Sequence, residues 1–502
     1  MELFSLLEKN EQRQIRLFQL LLEEKGSISV NQAFDRLTVD RATLKEDVQM
    51  LKAHLETFDG RLTLEYQDGE LNLFRSGNLS ANEFYYAYLQ ESIKYQILLH
   101  LLEHGTYERQ KLLTQLNIST ATLTRRIKEL NAILQEFHLQ IKNGRLQGSE
   151  SQIRYFYFQL LWFGRPYRVN QLEAVDQATK VLLALLEETF PFTFTEDGEI
   201  MFKLWLKITK SRLRCVKKAV PDYQNLPLHL FEEDPFLISL QTFLSRFFFQ
   251  YAFSWNQNET LIFYLFMICN FTLDTSDKRV QGFLLEEKYK DDLVGELNRT
   301  FKKNVQDAFS FYEFTEEFSQ KVALTVMQNH YRLVYFRGLV SVFGQSGLKQ
   351  RILENQEQQL LALCKKMTQQ SFDILGLSDE DRLHAGLELY GRYISILVMV
   401  FKKVELRLTI ACDFPYERLM SDIMMEIIHE RLDRSIKFDL VSYQKGQSYD
   451  VILTGQNKEY PSQQSAQVFV LTSSEYDFDF PYLNQFLRQC YLQKIKLRMD
   501  KL

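Results

Sequence analysis

Residues 119–130, STATLTRRIKEL, gather hydroxyls and cations into one short stretch. Ser119, Thr120, Thr122 and Thr124 supply oxygens; Arg125, Arg126 and Lys128 supply positive charge. Arginine offers a bidentate fork that fits a guanine edge, and Ser or Thr near a helix N-terminus suits a phosphate. The other residues with reactive side chains stand alone. Cys412 closes the strand-like run ELRLTIAC, and His229, His330 and His384 are scattered through the middle of the chain. No Gly-rich phosphate loop, HExxH or GxSxG occurs, so no catalytic motif is present.

The basic stretch must be held by a helix. Leu123, Ile127, Leu130 and Leu134 recur at helical spacing and form one apolar face, while Ala121, Arg125 and Lys128 fall opposite, flanked by Thr122 and Thr124. The same pattern occurs earlier. Residues 25–58 align without a gap on residues 104–137 at an offset of 79, with Ala42, Thr43, Leu44, Leu51, Ala53, Leu55 and Phe58 matching Ala121, Thr122, Leu123, Leu130, Ala132, Leu134 and Phe137. A shared period would match apolar character but not the triplet Ala-Thr-Leu, so one module is duplicated.

Each copy reads as a helix stopped near a glycine (Gly26, Gly105), a short helix, a turn, and a longer helix with Asp40 or Ser119 as its N-cap. A hairpin follows, turning at Asp68-Gly69 in copy one and Asn143-Gly144 in copy two. This is the order of a winged helix-turn-helix, whose third helix enters the major groove of duplex DNA while the wing lies along the backbone. The candidate contacts are Ser119, Thr120, Thr122, Thr124, Arg125, Arg126 and Lys128 in copy two, with Arg41, Thr43 and Lys45 in copy one. Arg125 and Arg126 replace Glu46 and Asp47, and copy two adds Arg109, Lys111, Lys142 and Arg145, so copy two is expected to supply more of the affinity.

Composition sets the wider frame. The chain has 502 residues, 45% of them hydrophobic, a net charge of −5, and only 8 Pro and 19 Gly, which fits a mostly helical protein of several domains. Five scattered cysteines without a CxxC fit a reducing cytoplasm and neither a disulfide framework nor a zinc site. The N-terminus does not read as a signal peptide. The apolar run LIFYLFMIC at 261–269 is too short to span a membrane and reads as a buried helix. Low overall basicity points to modest non-specific affinity, or to recognition of curved, AT-rich duplex shape.

Residues from about 150 to 400 read as long helices forming two bundles. The last hundred residues alternate strands (405–412, 436–443, 449–455, 468–473) with helices (414–432, 480–499), an open and mainly parallel α/β sheet. The expected class is therefore mainly α and multidomain. Its parts are winged helix-turn-helix units at 1–75 and 83–165, helical bundles at 170–280 and 285–402, and a small α/β domain at 404–502.

This order of modules resembles the Mga/AtxA family of global transcription regulators from Gram-positive bacteria. The resemblance implies a cytoplasmic, DNA-binding virulence regulator that is not an enzyme, needs no cofactor or metal, and dimerises or forms a higher homo-oligomer through its C-terminal region. It makes the middle bundles PTS regulation domains, phosphorylated on histidine by a PTS phosphocarrier protein, and the last domain enzyme IIB-like. Such regulation domains often carry a histidine seven residues before an arginine. Trp205 and Thr325 stand there relative to Arg212 and Arg332, which leaves His330, His229 and His384 as candidate acceptors, each of which reads more readily as a structural or surface histidine. In enzyme IIB a cysteine after the first strand accepts phosphate; here Asp413 and Pro415 follow Cys412, one repelling phosphate and the other lacking an N–H. Two rival readings keep the architecture: an RNA-binding antiterminator, and a phosphotransfer component using Cys412 or His330.

Overall fold

The computed structural model describes residues 1–164, 177–216, 222–223, 226–229, 234–270, 272–285, 292–310, 312–340, 358–404, 407–433, 436–460, 466–472 and 477–499. It is 66% helical, with small sheets, which makes the chain mainly α and multidomain. It divides into two compact units, Met1–Arg299 with Lys321–Ile396, and Thr300–Gln320 with Leu397–Leu502.

The larger unit begins with the duplicated module. Copy one runs α1 (Lys9–Glu23), β1 (Ser27–Ser29), α2 (Val30–Leu37), α3 (Arg41–Glu56), β2 (Leu62–Gln67) and β3 (Glu70–Arg75). Asp40 caps α3 as expected, its Oδ1 accepting the Thr43 N–H at 2.7 Å. β2 and β3 pair antiparallel from Leu62↔Arg75 to Gln67↔Glu70. Their turn has φ of 53° at Asp68 and 85° at Gly69, the two positive values that a type I′ turn requires. β1 joins β3 through Ile28↔Leu71, a third strand too short for alternation to reveal.

Copy two runs α4 (Ala81–Glu91), α5 (Ile93–His104), α6 (Arg109–Leu116), α7 (Thr120–Leu134), β4 (Gln140–Lys142) and β5 (Arg145–Gln147), and leads into α8 (Glu150–Gly164). Ser119 caps α7 by accepting the Thr122 N–H at 3.1 Å. The second hairpin again turns on two positive φ values, 53° at Asn143 and 71° at Gly144. Helix α4 lies outside the repeated pattern of the two copies. It buries Phe84, Tyr85, Tyr88 and Leu89 against copy one, with Phe84 4.2 Å from Phe18 between ring centroids.

The residues before α1 also join the copies. Leu3, Leu6 and Leu7 are buried. Ser92 Oγ donates to the Leu6 carbonyl at 2.6 Å, and Lys94 Nζ donates to the carbonyls of Ser5 and Leu7 at 2.7 and 3.2 Å. These bonds satisfy backbone groups that would otherwise be stranded in an apolar seam.

The helical middle follows with helices at Gln177–Thr189, Glu196–Val216, Pro235–Phe249, Gln257–Cys269, Lys278–Leu285, Leu293–Ala308, Glu316–Tyr335, Gln358–Leu375 and Asp379–Lys403. The apolar run read as a core helix is one: every residue from Glu259 to Cys269 is buried. Among the described residues no helix is long and apolar enough to cross a membrane. The edge expected at residue 170 lies outside the described residues.

A buried ion network ties α8 to this middle. Arg154 makes two bonds to Glu259 (2.5 and 2.9 Å) and one to Glu150 (2.9 Å), while Arg212 makes two to Glu150 (2.8 and 3.1 Å). Burial alone would push the Glu150 carboxyl up, but the two guanidinium groups hold it below the usual range. Two cations against two anions leave the network neutral, the condition for tolerating charge in a core.

The smaller unit carries the α/β sheet. β6 (Leu408–Asp413), β7 (Phe438–Ser442), β8 (Val451–Thr454) and β9 (Gln467–Val470) stand in the order β7-β6-β8-β9, and every pairing is parallel. Helices Arg418–Arg431 and Phe480–Met499 complete it. Leu408, Ile410, Leu453, Ile428, Leu483 and Leu487 form its core.

Candidate nucleic-acid interface

Helix α7 presents a mixed face. Ser119, Thr120, Thr124, Arg125 and Lys128 are exposed and Thr122 is half-buried. Part of the face is pre-arranged: Arg109 Nη2 donates to Thr124 Oγ1 at 3.0 Å, and Thr124 Oγ1 donates to the Thr120 carbonyl at 3.0 Å. Among the described residues Arg125 makes only a long 4.0 Å approach to Glu129, and it is 63% exposed, so its guanidinium is available to an incoming anion. The wing adds Lys142, exposed, and Arg145, half-buried. Lys111 is exposed but paired with Glu108 at 2.7 Å.

Arg126 departs from the expected interface. It is buried, and its guanidinium bonds Glu8 at 2.5 Å and Glu129 at 2.8 Å. The spacing contained the reason: Arg126 lies three residues after Leu123 and four before Leu130, inside the apolar stripe. Its counterpart Asp47 behaves alike. It is buried and takes a bidentate pair from Arg13 at 2.7 and 3.1 Å. Both third helices therefore turn this position inward, onto an ion pair with the N-terminal part of the chain. In copy one, Arg41 and Lys45 are exposed and Thr43 is half-buried.

The wings differ more than the helices. Copy one exposes Glu65, Asp68 and Glu70 along its hairpin, whereas copy two carries Lys142 and Arg145. A wing that lies along phosphates is opposed by the first set and favoured by the second.

The candidate phosphoryl acceptors occupy unlike places. His330 is fully buried, with Nδ1 2.6 Å from Asn298 Oδ1 and Nε2 2.6 Å from Tyr393 Oη. Burial pulls its pKa down to about 3. Both ring nitrogens are engaged, so His330 is a core histidine and no open acceptor. His229 is exposed. His384 lies on the helix Asp379–Lys403, and its side chain is outside the described residues. Arg212 and Arg332, the arginines of the regulation-domain pattern, are both buried in ion pairs, with Glu150 and Glu388.

Cys412 is the penultimate residue of β6, between β7 and β8, near the strand end where an open α/β sheet places ligands. Its thiol is buried and pushed up to about 12 by that burial. The neighbouring Asp413 carboxylate accepts from Lys458 Nζ (2.9 Å) and Tyr460 Oη (2.6 Å), so a carboxylate takes the position where a phosphate-accepting loop would need N–H donors. All five cysteines are buried, and none is in a disulfide. Among the described residues no group of three or more His, Cys, Asp or Glu is placed to hold a metal ion.

Helices α5, α6 and α7 with the β4–β5 wing thus define a helix-turn-helix protein whose second copy carries the exposed basic face. Residues 77–161 match the Mga helix-turn-helix domain, and this stretch holds α5 to α7 and the basic wing. Among curated proteins the chain is similar to a putative trans-acting regulator of Streptococcus pneumoniae serotype 4 (strain ATCC BAA-334 / TIGR4), with 21% identity over 42% of each chain. It is also similar to the capsule synthesis positive regulator AcpB of Bacillus anthracis, with 24% identity over 31% of this chain and 32% of that one. The matches thus span less than half the length of either relative. Together they make the chain similar to Mga-type regulators, most directly in its helix-turn-helix region.

Proposed function

We propose that this chain is a DNA-binding transcriptional regulator of the Mga/AtxA type, with α7 as its principal recognition helix. One observation carries the reading. The exposed face of Thr120, Thr124, Arg125 and Lys128 stands beside a basic wing, inside the stretch that matches the Mga helix-turn-helix domain. Arg125 reads a base edge in the major groove, and Lys142 and Arg145 hold the backbone beside it. The target is double-stranded DNA, and curved AT-rich duplex is preferred because few cations are available for flat electrostatic binding.

The finer architecture belongs to the same proposal. The chain works in the cytoplasm as five parts with the bounds expected from sequence. Its middle bundles act as PTS regulation domains whose acceptor is His229 or His384, since His330 would have to leave its core to meet a phosphocarrier protein. The C-terminal α/β domain dimerises. Helix Arg418–Arg431 supports this with a stripe of exposed apolar side chains, Leu419, Met420, Ile423 and Ile427, at helical spacing on one side.

The test is a gel-shift titration of the full chain on curved AT-rich and straight duplexes at two salt concentrations. Saturable, salt-sensitive binding that is tighter on the curved duplex is expected. Failure to bind any duplex overturns the reading. Sedimentation of wild type against Leu419→Glu/Ile423→Glu tests the dimer: the variant is expected to be monomeric, and an unchanged state removes that stripe from the interface.

A further inference from the structure

The larger unit holds a small cavity whose inner wall is built from arginines. It lies between helices Glu316–Tyr335 and Asp379–Lys403, with Tyr155 of α8 at one side. Its volume is about 30 Å³, room for roughly two water molecules and so for the bulk of one small oxyanion. Arg332, Arg337 and Arg392 line it.

The lining carries three arginines and three carboxylates, but around Glu388 the charges do not pair one to one. Arg332 and Arg392 both bond the same carboxylate oxygen, Oε1 of Glu388, the latter at 2.9 Å. Two guanidinium groups thus share one carboxylate. Arg392 spends another N–H on the neutral Asn329 amide oxygen, and Arg332 lies 5.9 Å from the Tyr155 ring centre. Neither neighbour supplies the second negative charge. Arg337, just past the end of the helix Glu316–Tyr335, points one nitrogen at the carbonyls of Leu333, Val334 and Phe336, and the charge it feels comes from Asp381. The remaining carboxylates are engaged at the mouth. Asp381 meets His138 at 3.0 Å and the Ser378 hydroxyl at 2.8 Å. Glu136 takes the Leu339 N–H at 3.0 Å and the ammonium of Met1.

An unmatched buried guanidinium is costly, and a core built only for stability pairs its charges one to one, as the Glu150–Arg154–Glu259–Arg212 network of this same unit does. Burial, and next the neighbouring Arg332 cation, pull the Arg392 guanidinium down, and the Glu388 carboxylate it shares with Arg332 offsets them only in part.

We propose that this cavity is a binding site for a small free oxyanion of the phosphate class, held by the guanidinium forks of Arg332 and Arg392. The anion supplies the missing negative charge, and planar forks suit its tetrahedral oxygens. The site is independent of the DNA-binding reading. It is placed to influence that function, because Glu136 and His138 at its mouth directly follow α7.

The experiment is isothermal titration calorimetry of the full chain with inorganic phosphate at constant ionic strength, chloride replacing phosphate in the control. The variants are Arg392→Gln, Arg392→Lys and Lys142→Ala/Arg145→Ala. Arg392→Gln leaves Arg332 to neutralise Glu388 one to one, so its fold is expected to hold. Wild type should bind one phosphate saturably, Arg392→Gln at least tenfold more weakly, Arg392→Lys in between, and the wing variant like wild type. If Arg392→Gln does not fold, Arg392→Lys decides, since loss of the fork alone must weaken binding. Three results overturn the site: no saturable heat in wild type, unchanged binding in the folded Arg392 variants, or loss of binding in the wing variant with Arg392→Gln unaffected. The readout involves no DNA, so its failure leaves the DNA-binding reading standing.

Discussion

The two copies of the N-terminal module share caps, turns and helix order, yet expose opposite chemistry on their wings. Copy one presents Glu65, Asp68 and Glu70 where copy two presents Lys142 and Arg145. On the third helices the contrast is smaller than the sequence implied. Of the paired replacements Glu46 to Arg125 and Asp47 to Arg126, only the first faces solvent. The second lies inside, where Asp47 meets Arg13 and Arg126 meets Glu8. Duplication kept the inward position as an ion-pair anchor and reversed its sign, whereas the outward positions diverged in what they can bind. The lesson is that charge in a repeated helix divides by face before it divides by sequence.

Reversing the basic wing should have the largest effect. Lys142→Glu/Arg145→Glu is expected to weaken duplex binding about 100-fold near 0.1 M salt, since each lost phosphate contact is worth roughly tenfold there. Fluorescence anisotropy measures this, and a change under fivefold would remove the wing from the interface. Arg126→Ala should act on stability instead. It leaves Glu8 without its cation and Glu129 with only Lys94 at 3.6 Å and the distant Arg125, an expected loss of about 1–3 kcal/mol by urea denaturation with little change in the salt slope of DNA binding. A loss of DNA affinity in the folded variant would return Arg126 to the interface. Neutralising the acidic wing, Glu65→Gln/Asp68→Asn, should raise duplex affinity a few-fold; no gain means that copy one lies away from the backbone.

The smallest effect concerns pH. His54 on α3 packs 3.9 Å from the Tyr88 ring and is held below the ordinary histidine pKa by burial, while its counterpart in copy two is Ile133, which does not titrate. The unfolded chain therefore takes up this proton first as pH falls below about 6.5, and copy one loses stability there. Hydrogen exchange at pH 5.5 and 7.5 should show α3 losing protection at the lower pH more than α7, and His54→Ile should remove the difference. Equal loss in both helices would assign the acid sensitivity elsewhere.

Much of this arrangement was legible because it depends on local chemistry. Asp68-Gly69 and Asn143-Gly144 dictate tight hairpins through φ alone, Asp40 and Ser119 cap helices by reach alone, and the strand-helix alternation after residue 405 follows from period. What escaped depends on tertiary partners. β1 exists because β3 is there to pair with it, and α4 because copy one offers Phe18 to Phe84. Arg126 reads as a surface cation until its place between Leu123 and Leu130 is counted as part of the apolar stripe. His330 reads from sequence as a structural histidine or an acceptor, and nothing local announces that Asn298 and Tyr393 close around it.

The most direct test compares the two recognition helices in the full chain. The salt dependence of duplex binding is measured for wild type, Arg125→Ala/Lys128→Ala and Arg41→Ala/Lys45→Ala. If copy two is the main reader, the first variant loses affinity and its log–log salt slope falls by about 2, while the second stays near wild type. An equal or larger loss from Arg41→Ala/Lys45→Ala would contradict the assignment and make copy one the reader despite its acidic wing.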